Sequence, residues 1–244
     1  MLVSHSEKGY SCHCFRCDSP DSHQFRGHGI RSIADLQRHK DEILAHRGKP
    51  PHLPSDYTKD IPAEYAWFLK YGISLEVAQQ YDFGYSEFFH RIVIPIYRQV
   101  GYTRELSAVH LRAIDLKEKS KYFNLGKPDV NALFQAKNTY PPESGLVITE
   151  DILSAIKVNL AGYNSVALNG SDITDGQAVQ TASRTAVRYI WLDNDPAGHK
   201  GSKKAIQQLL MQGSGDVRLV RSEGDPKTYN KEEIKQHLME AIPQ

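Results

Sequence analysis

Long apolar runs are missing from this sequence: no stretch approaches the roughly 20 consecutive apolar residues that a membrane span needs. No apolar segment follows Met1 either, so no secretory signal is expected, and the expectation is a cytoplasmic protein without a membrane partner. Cysteine is scarce. All three, Cys12, Cys14 and Cys17, crowd one short stretch, and an odd number in such a chain argues against a disulfide framework. A strong charge of one sign is absent too; the formal net charge is +1, so the total does not announce a polyanion binder. There is no G-x-x-x-x-G-K-[ST] phosphate loop, no internal repeat and no long low-complexity segment. What is there is 244 residues of ordinary composition, 40% hydrophobic and 24% charged, enough for one large domain or two small ones with a real core.

The charge is unevenly spread. From Arg91 to Lys127 the net is +5, and from Glu143 to the end it is −2. A basic segment beside an acidic one fits an enzyme that grips a polyanion with one part and metal ions with the other. On charge alone an ordinary mixed surface fits equally well.

The pattern along the chain changes character three times. The first 25 residues are polar and rich in Ser, His and Cys, and a helical spacing of Ile33, Leu36, Ile43 and Leu44 follows, over 33–46. The proline-studded KPPHLPSDYTKDIP reads as a linker. PAEYAWFLKYG (62–72) reads as a helix from Pro62 to Gly72, and Ser74 caps a second one through Gln80. RIVIPIY (91–97) and ELSAVHL (105–111) read as an antiparallel pair, with KYFN (121–124) a basic loop or short strand. From Gly145 onwards strands (145–150, 164–170, 186–195, 216–220) alternate with helices (151–162, 172–184, 196–213, 231–242). Strict alternation predicts βαβ units and a parallel sheet covered on both faces.

In such sheets ligands bind outside the carboxyl ends of the strands. Here those ends are acidic: Glu150 after the first, Asp193 and Asp195 after the third, Glu223 and Asp225 after the fourth. Asp193 and Asp195 lie two apart, so in an extended strand they would point the same way. Carboxylates gathered at one rim repel unless a cation joins them, and Mg²⁺ (or Mn²⁺) takes hard oxygen ligands while keeping waters and substrate phosphates. The bland alternative is that these acids are helix N-caps, and Asp195 before Pro196 suits that role.

VITEDILSAIKV resembles the first half of the TOPRIM signature, and LDNDPAGHKG resembles its D-x-D-x-x-G half, with Asp193, Asp195 and Gly198 in place. SEGDPKTY is similar to the later G-x-D-P element of primase TOPRIM domains. The sequence departs from the pattern at Asp151, where glycine is usual, and at Ser154, where aspartate is common. Ahead of this, HRIVIPIYRQVG, HLRAI and KYFNLGKPDVNALFQA resemble the basic, RNA-polymerase-like subdomain of DnaG-type primases, with LEVAQQYDFGYS similar to its lead-in. Leu111 stands where that pattern has glycine, and Lys137 is displaced from the pattern's lysine.

The resemblance implies an α/β fold: a TOPRIM domain (143–244), a parallel sheet with flanking helices, preceded by a basic α+β subdomain (61–142). It implies Mg²⁺ on Glu150, Asp193, Asp195 and Asp225, and nucleotide or template contacts from Arg91, Arg112, Lys121, Tyr122 and Asn124. GYSCHCFRCD resembles one knuckle of a primase zinc ribbon (1–25), followed by a helix and linker (26–60). Cys14 and Cys17 have the C-x₂-C spacing for Zn²⁺, and a four-coordinate site needs further donors such as Cys12 and His5, or an upstream pair. The implied activity is synthesis of short RNA primers from NTPs on single-stranded DNA. A separate replicative helicase is the expected partner, and a phage or mobile-element origin would suit. A TOPRIM nuclease and a non-catalytic single-strand-binding replication accessory are the alternatives.

Overall fold

The computed structural model describes residues 48–100, 102–114, 121–182, 187–213 and 215–244 in full, and the backbone of 2–6, 9–13 and 23–25. The chain forms two units, one from residues 1–67, 78–95 and 106–128, the other from 68–77, 96–105 and 129–244. The second unit thus begins ahead of the boundary at 143 and takes in two earlier segments.

In the first unit, β1 (Leu2–Ser6), β2 (Gly9–His13) and β3 (His23–Phe25) form an antiparallel sheet in which Cys12 pairs with Val3 and with His23. His5 pairs with Tyr10 across the β1–β2 connection. Cys14 and Cys17, and the helix expected at 33–46, lie outside the described residues.

A second sheet has the order β4 (Gly84–Ser86), β5 (Arg91–Val100), β6 (Thr103–Ala113), β7 (Tyr122–Asn124). β5 and β6 are longer than the apolar runs at 91–97 and 105–111 suggest: β5 runs on to Val100, and β6 adds Thr103 and Arg104 at one end and Arg112 and Ala113 at the other. Val93, Val109, Leu111 and Leu125 form a core, with Leu53, Tyr57, Phe89 and Phe123 packed against it. The proline-studded segment is no free linker. Thr58 bridges Tyr85 through reciprocal backbone bonds of 3.0 and 2.8 Å, and Asp56 accepts from the Ser86 hydroxyl (2.7 Å) and the Phe88 N–H (2.8 Å). Gly84 permits this approach, since a Cβ there would meet the Thr58 carbonyl and the Tyr57 ring. The helix expected over 62–72 is two 3₁₀ turns, Ala63–Tyr65 and Trp67–Tyr71, before Gly72 at φ +72°. So short a segment closes few i→i+4 bonds, and the tighter turns form instead. α1 (Leu75–Gln80) follows, with Ser74 Oγ accepting from the Val77 N–H.

The second unit holds the six-stranded sheet β13-β12-β11-β9-β10-β8. Its centre is parallel: β9 (Leu146–Thr149), β10 (Asn164–Ala167), β11 (Val187–Trp191) and β12 (Asp216–Leu219). Two-residue antiparallel strands, β8 (Phe134–Gln135) and β13 (Ile242–Pro243), cover its edges; neither has enough residues for a readable alternation in the sequence. Each parallel strand is followed by a helix: α2 (Ile152–Leu160), α3 (Asp175–Ala182), α4 (Pro196–Met211) and α5 (Lys231–Met239). Side chains alternate between the faces. Leu146, Ile148, Val166 and Ile190 pack with Ala178 of α3 and with Ala205 and Leu209 of α4. Val147 and Trp191 pack on the other face with Val158 of α2 and with Ile234 and Leu238 of α5.

α4 starts hard against the end of β11. A Cβ on Gly198 would strike the Asp193 carbonyl oxygen. Backbone on backbone cannot give way cheaply, so Gly198→Ala is expected to cost about 2–3 kcal/mol as an overpacking change. Gly170→Ala, whose Cβ meets nothing within 4 Å, should be near neutral. Urea unfolding of the two variants checks this; equal midpoints would contradict it.

Candidate active site

Three strand ends build one acidic rim. β9 stops at Thr149, whose hydroxyl donates to the carbonyls of Val166 and Asp151, both at 3.1 Å. Glu150 comes next, its carbonyl accepting from the N–H groups of Asn169 (3.0 Å) and Gly170 (3.3 Å). That fixes the backbone from which the Glu150 carboxylate projects. Asp151 caps α2, accepting from the N–H groups of Leu153 (2.9 Å) and Ser154 (3.2 Å) and from the Ser154 hydroxyl (2.6 Å).

β11 stops at Trp191, two residues before Asp193. The Asp195 N–H turns back to the Asp193 carbonyl at 2.9 Å, and the Asp195 carboxylate caps α4 through the Gly198 N–H at 2.7 Å. Asp193 and Asp195 therefore lie beyond the strand, and the expectation that one extended strand aims both alike is corrected.

After β12 the 222–229 loop is pinned from within. Ser222 Oγ receives the Trp191 indole N–H (2.8 Å) and donates to the Gly224 carbonyl (2.7 Å), while the Gly224 N–H donates to the Tyr229 hydroxyl (2.8 Å). Tyr229 packs in a mutual cluster with Trp191 and His237, at centroid distances of 6.0 and 4.6 Å, with Trp191 and His237 themselves edge to face at 5.3 Å. This anchorage presents Asp225 and Lys227.

Lys227 was not singled out in the sequence, yet it stands within the acidic cluster. Its ammonium donates to Asp225 Oδ2 at 2.6 Å and to Asp151 Oδ2 at 2.9 Å, with the lysine side chain only 16% exposed. Burial works against its charge, but Asp151 and Asp225 outweigh it and hold the ammonium well above the ordinary lysine range.

The remaining carboxylates feel burial and one another. Burial pushes the Asp193 carboxyl up to about 7, against the pull of Lys227 and with the help of Asp225, Glu150 and Asp151. Glu150 is also raised, first by burial and then by Asp195, Asp151 and Asp225, while the Asp193 N–H that donates to it works the other way. Glu150 Oε2 and Asp193 Oδ1 are both buried without a hydrogen-bond partner. Such atoms are costly to bury unless something positive meets them.

Among the described residues no three His, Cys, Asp or Glu side chains stand together as a ready-made metal cage. The orphaned oxygens still fit Mg²⁺ or Mn²⁺, which bind through one or two carboxylates and complete their shell with waters and phosphates. Of the four expected ligands, Glu150 and Asp193 offer unengaged oxygens, Asp195 is used as a cap, and Asp225 is paired with Lys227. A cleft of about 1010 Å³ opens beside Asp193, its lining including His199, Lys203, Arg221 and Tyr229.

The basic residues of the first unit separate by burial. Lys121, Tyr122 and Asn124 are exposed on or beside β7, and β7 pairs Tyr122 with Arg112. The Arg112 guanidinium lies 4.5 Å from the Tyr122 ring and 5.2 Å from the Trp67 ring. Arg91 departs from the expected phosphate contact: it is buried, donates to the Leu111 carbonyl and lies over the Phe123 ring. Trp67 carried no motif and could not have been found from spacing.

Residues 148–230 match a family model described as Toprim-like. The chain is 30% identical over 166 residues to a DNA primase of Aquifex aeolicus (strain VF5), an alignment covering 64% of this chain and 32% of that relative. It thus spans about a third of the curated relative it matches. Among solved structures it is similar to the zinc-binding and RNA polymerase domains of the Aquifex aeolicus primase, with 24% identity, a TM-score of 0.60, and coverage of 73% of this chain and 55% of that one. It is also similar to a DnaG primase catalytic domain bound to single-stranded DNA, with 17% identity, a TM-score of 0.63, and coverage of 87% and 81%. The α/β fold is similar to that of these primase catalytic-domain structures.

The raised Asp193 carboxyl has a consequence for stability. Its folded value of about 7 exceeds the ordinary 3.8, so its contribution is fully present below about pH 4 and is lost as pH rises through 7. Asp193→Asn removes that loss. In EDTA near pH 8 the variant should be more stable than wild type by about 1–2 kcal/mol, after discounting for solvent screening, and near pH 4 the gain should vanish. Urea unfolding at both pH values decides it; a gain independent of pH would contradict the assignment.

Proposed function

We propose that this chain, a homologue of DNA primase with a Toprim-like domain, is the catalytic core of a DnaG-type primase that makes short RNA primers on single-stranded DNA. The observation that carries the reading is the pair of buried, unpartnered carboxylate oxygens on Glu150 and Asp193 at the carboxyl rim of the parallel sheet. These two residues would hold a divalent ion, Mg²⁺ or Mn²⁺. When bound, such an ion offsets phosphate charge and favours attack of a 3′-hydroxyl on the α-phosphate. Asp195 and Asp225 add negative field at the rim and hold the α4 start and Lys227 in place.

The chain's own residues do the rest. Lys121 and Arg112 neutralise phosphates of template or NTP, and the half-exposed Tyr122 ring offers a stacking face beside the Arg112 guanidinium. Asn124, exposed on the same strand, supplies an amide for polar contacts. The cleft beside Asp193 brings Lys203 and Arg221 to where a triphosphate could extend. The partners are single-stranded DNA, NTPs, the RNA product and a separate replicative helicase, in the cytoplasm of a bacterial or phage-infected cell. Zn²⁺ on Cys14 and Cys17, with Cys12 and His5, belongs to the same reading. The pairing of Lys227 with two rim carboxylates favours one competing reading, a non-catalytic single-strand-binding accessory.

Incubation with single-stranded DNA, labelled NTPs and Mg²⁺ separates these. Primers that disappear in Asp193→Ala, with DNA binding retained, are expected; cleaved DNA would indicate a nuclease, and neither product an accessory. Lys121→Ala should weaken DNA binding several-fold and lower the slope of log affinity against log salt by about one. An unchanged slope would remove Lys121 from the phosphate track.

A further inference from the structure

The acidic rim carries its own cation. Asp151, one of the residues the ammonium engages, stands where the TOPRIM pattern has glycine, and Lys227 directly follows Gly224, Asp225 and Pro226. Asp151 Oδ2 accepts from both the Ser154 hydroxyl and the Lys227 ammonium, while its Oδ1 caps α2. Asp225 is held by Lys227 at 2.6 Å. The lysine is largely withdrawn from solvent, and its loop is tied down through Ser222, Gly224 and Tyr229. The rim therefore divides into a half whose carboxylates are neutralised from within and a half, Glu150 and Asp193, whose buried oxygens have no partner.

We propose that Lys227 is a built-in counter-cation that occupies the Asp151–Asp225 half of the rim and confines divalent-ion binding to a single ion on Glu150 and Asp193. This rests on the metal-binding reading above and adds to it a stoichiometry and a positioning residue. A fixed ammonium satisfies two carboxylates without the dehydration a divalent ion requires, and it repels a second cation from the same oxygens. Replacing it with a neutral side chain leaves Asp151 and Asp225 facing each other unneutralised, a strong acceptor for another divalent ion.

The test is Mn²⁺ binding to the purified chain, followed by the loss of the free-Mn²⁺ electron paramagnetic resonance signal, with no substrate and no turnover. Wild type should bind one ion, abolished by Asp193→Asn. Lys227→Met, close to lysine in length, should bind two, and Lys227→Arg one. Asp225→Asn should leave the first ion's affinity within about threefold, because Asp225 is the lysine's partner and not a ligand; a loss beyond about tenfold would make it a ligand and overturn the proposal. That arm stands even if Lys227→Met fails to fold. Two ions in wild type, or one in a folded Lys227→Met, would also overturn it while leaving the metal reading intact. No ion in wild type, and no difference in Asp193→Asn, would remove both.

Discussion

Repulsion among carboxylates at one sheet rim is the constraint around which the second unit is arranged. Parallel strands deliver their carboxyl ends to the same side. Here that side receives Glu150, Asp151, Asp193, Asp195 and Asp225. They are not all tolerated by the same means. Asp195 and Asp151 are helix caps, where backbone N–H groups and the positive end of the helix dipole favour a negative charge. Asp225 and Asp151 share the Lys227 ammonium. Glu150 and Asp193 each keep one buried oxygen without a hydrogen-bond partner, and burial raises both proton affinities despite the pull of Lys227 on Asp193 and the Asp193 N–H on Glu150. A site that buries carboxylates at raised proton affinity is suited to recruit a cation, and folding stability is given up to keep it so.

The scaffold keeps this arrangement in register. Gly198 lets α4 begin against the Asp193 backbone, and the mutual ring cluster of Trp191, Tyr229 and His237 fixes the loop bearing Asp225 and Lys227. Trp191 is fully buried and its indole N–H is used, so the residue that packs the core also positions the acidic loop. In the first unit the corresponding device is the strap through Asp56 and Thr58, which braces β4.

The parallel core was legible because its strands are continuous apolar runs and its helices carry caps and glycine stops. Leu146 to Thr149 is wholly buried, as a strand covered on both faces must be. β8 and β13 were not legible, since two residues carry no period. The 62–72 segment was misread because Pro62 and Gly72 mark the ends of a turn pair as well as those of a helix. At the site, the acidic positions were visible from their place after strands, but not which of them would be engaged. That depends on Lys227 reaching 76 residues back to Asp151, a contact no local pattern encodes. Arg91 was misread for a related reason: basic residues in a basic segment look alike until burial separates Arg91 from Lys121.

The central claim is that Glu150 and Asp193 form the cation-binding half of the rim. Anomalous scattering at the manganese edge, from crystals of the protein soaked in Mn²⁺, tests it most directly. The account predicts one peak within coordinating distance of Glu150 Oε2 and Asp193 Oδ1, with Lys227 still bonded to Asp151 and Asp225. A peak on Asp151 and Asp225 with the lysine displaced, or none at the rim, would contradict it.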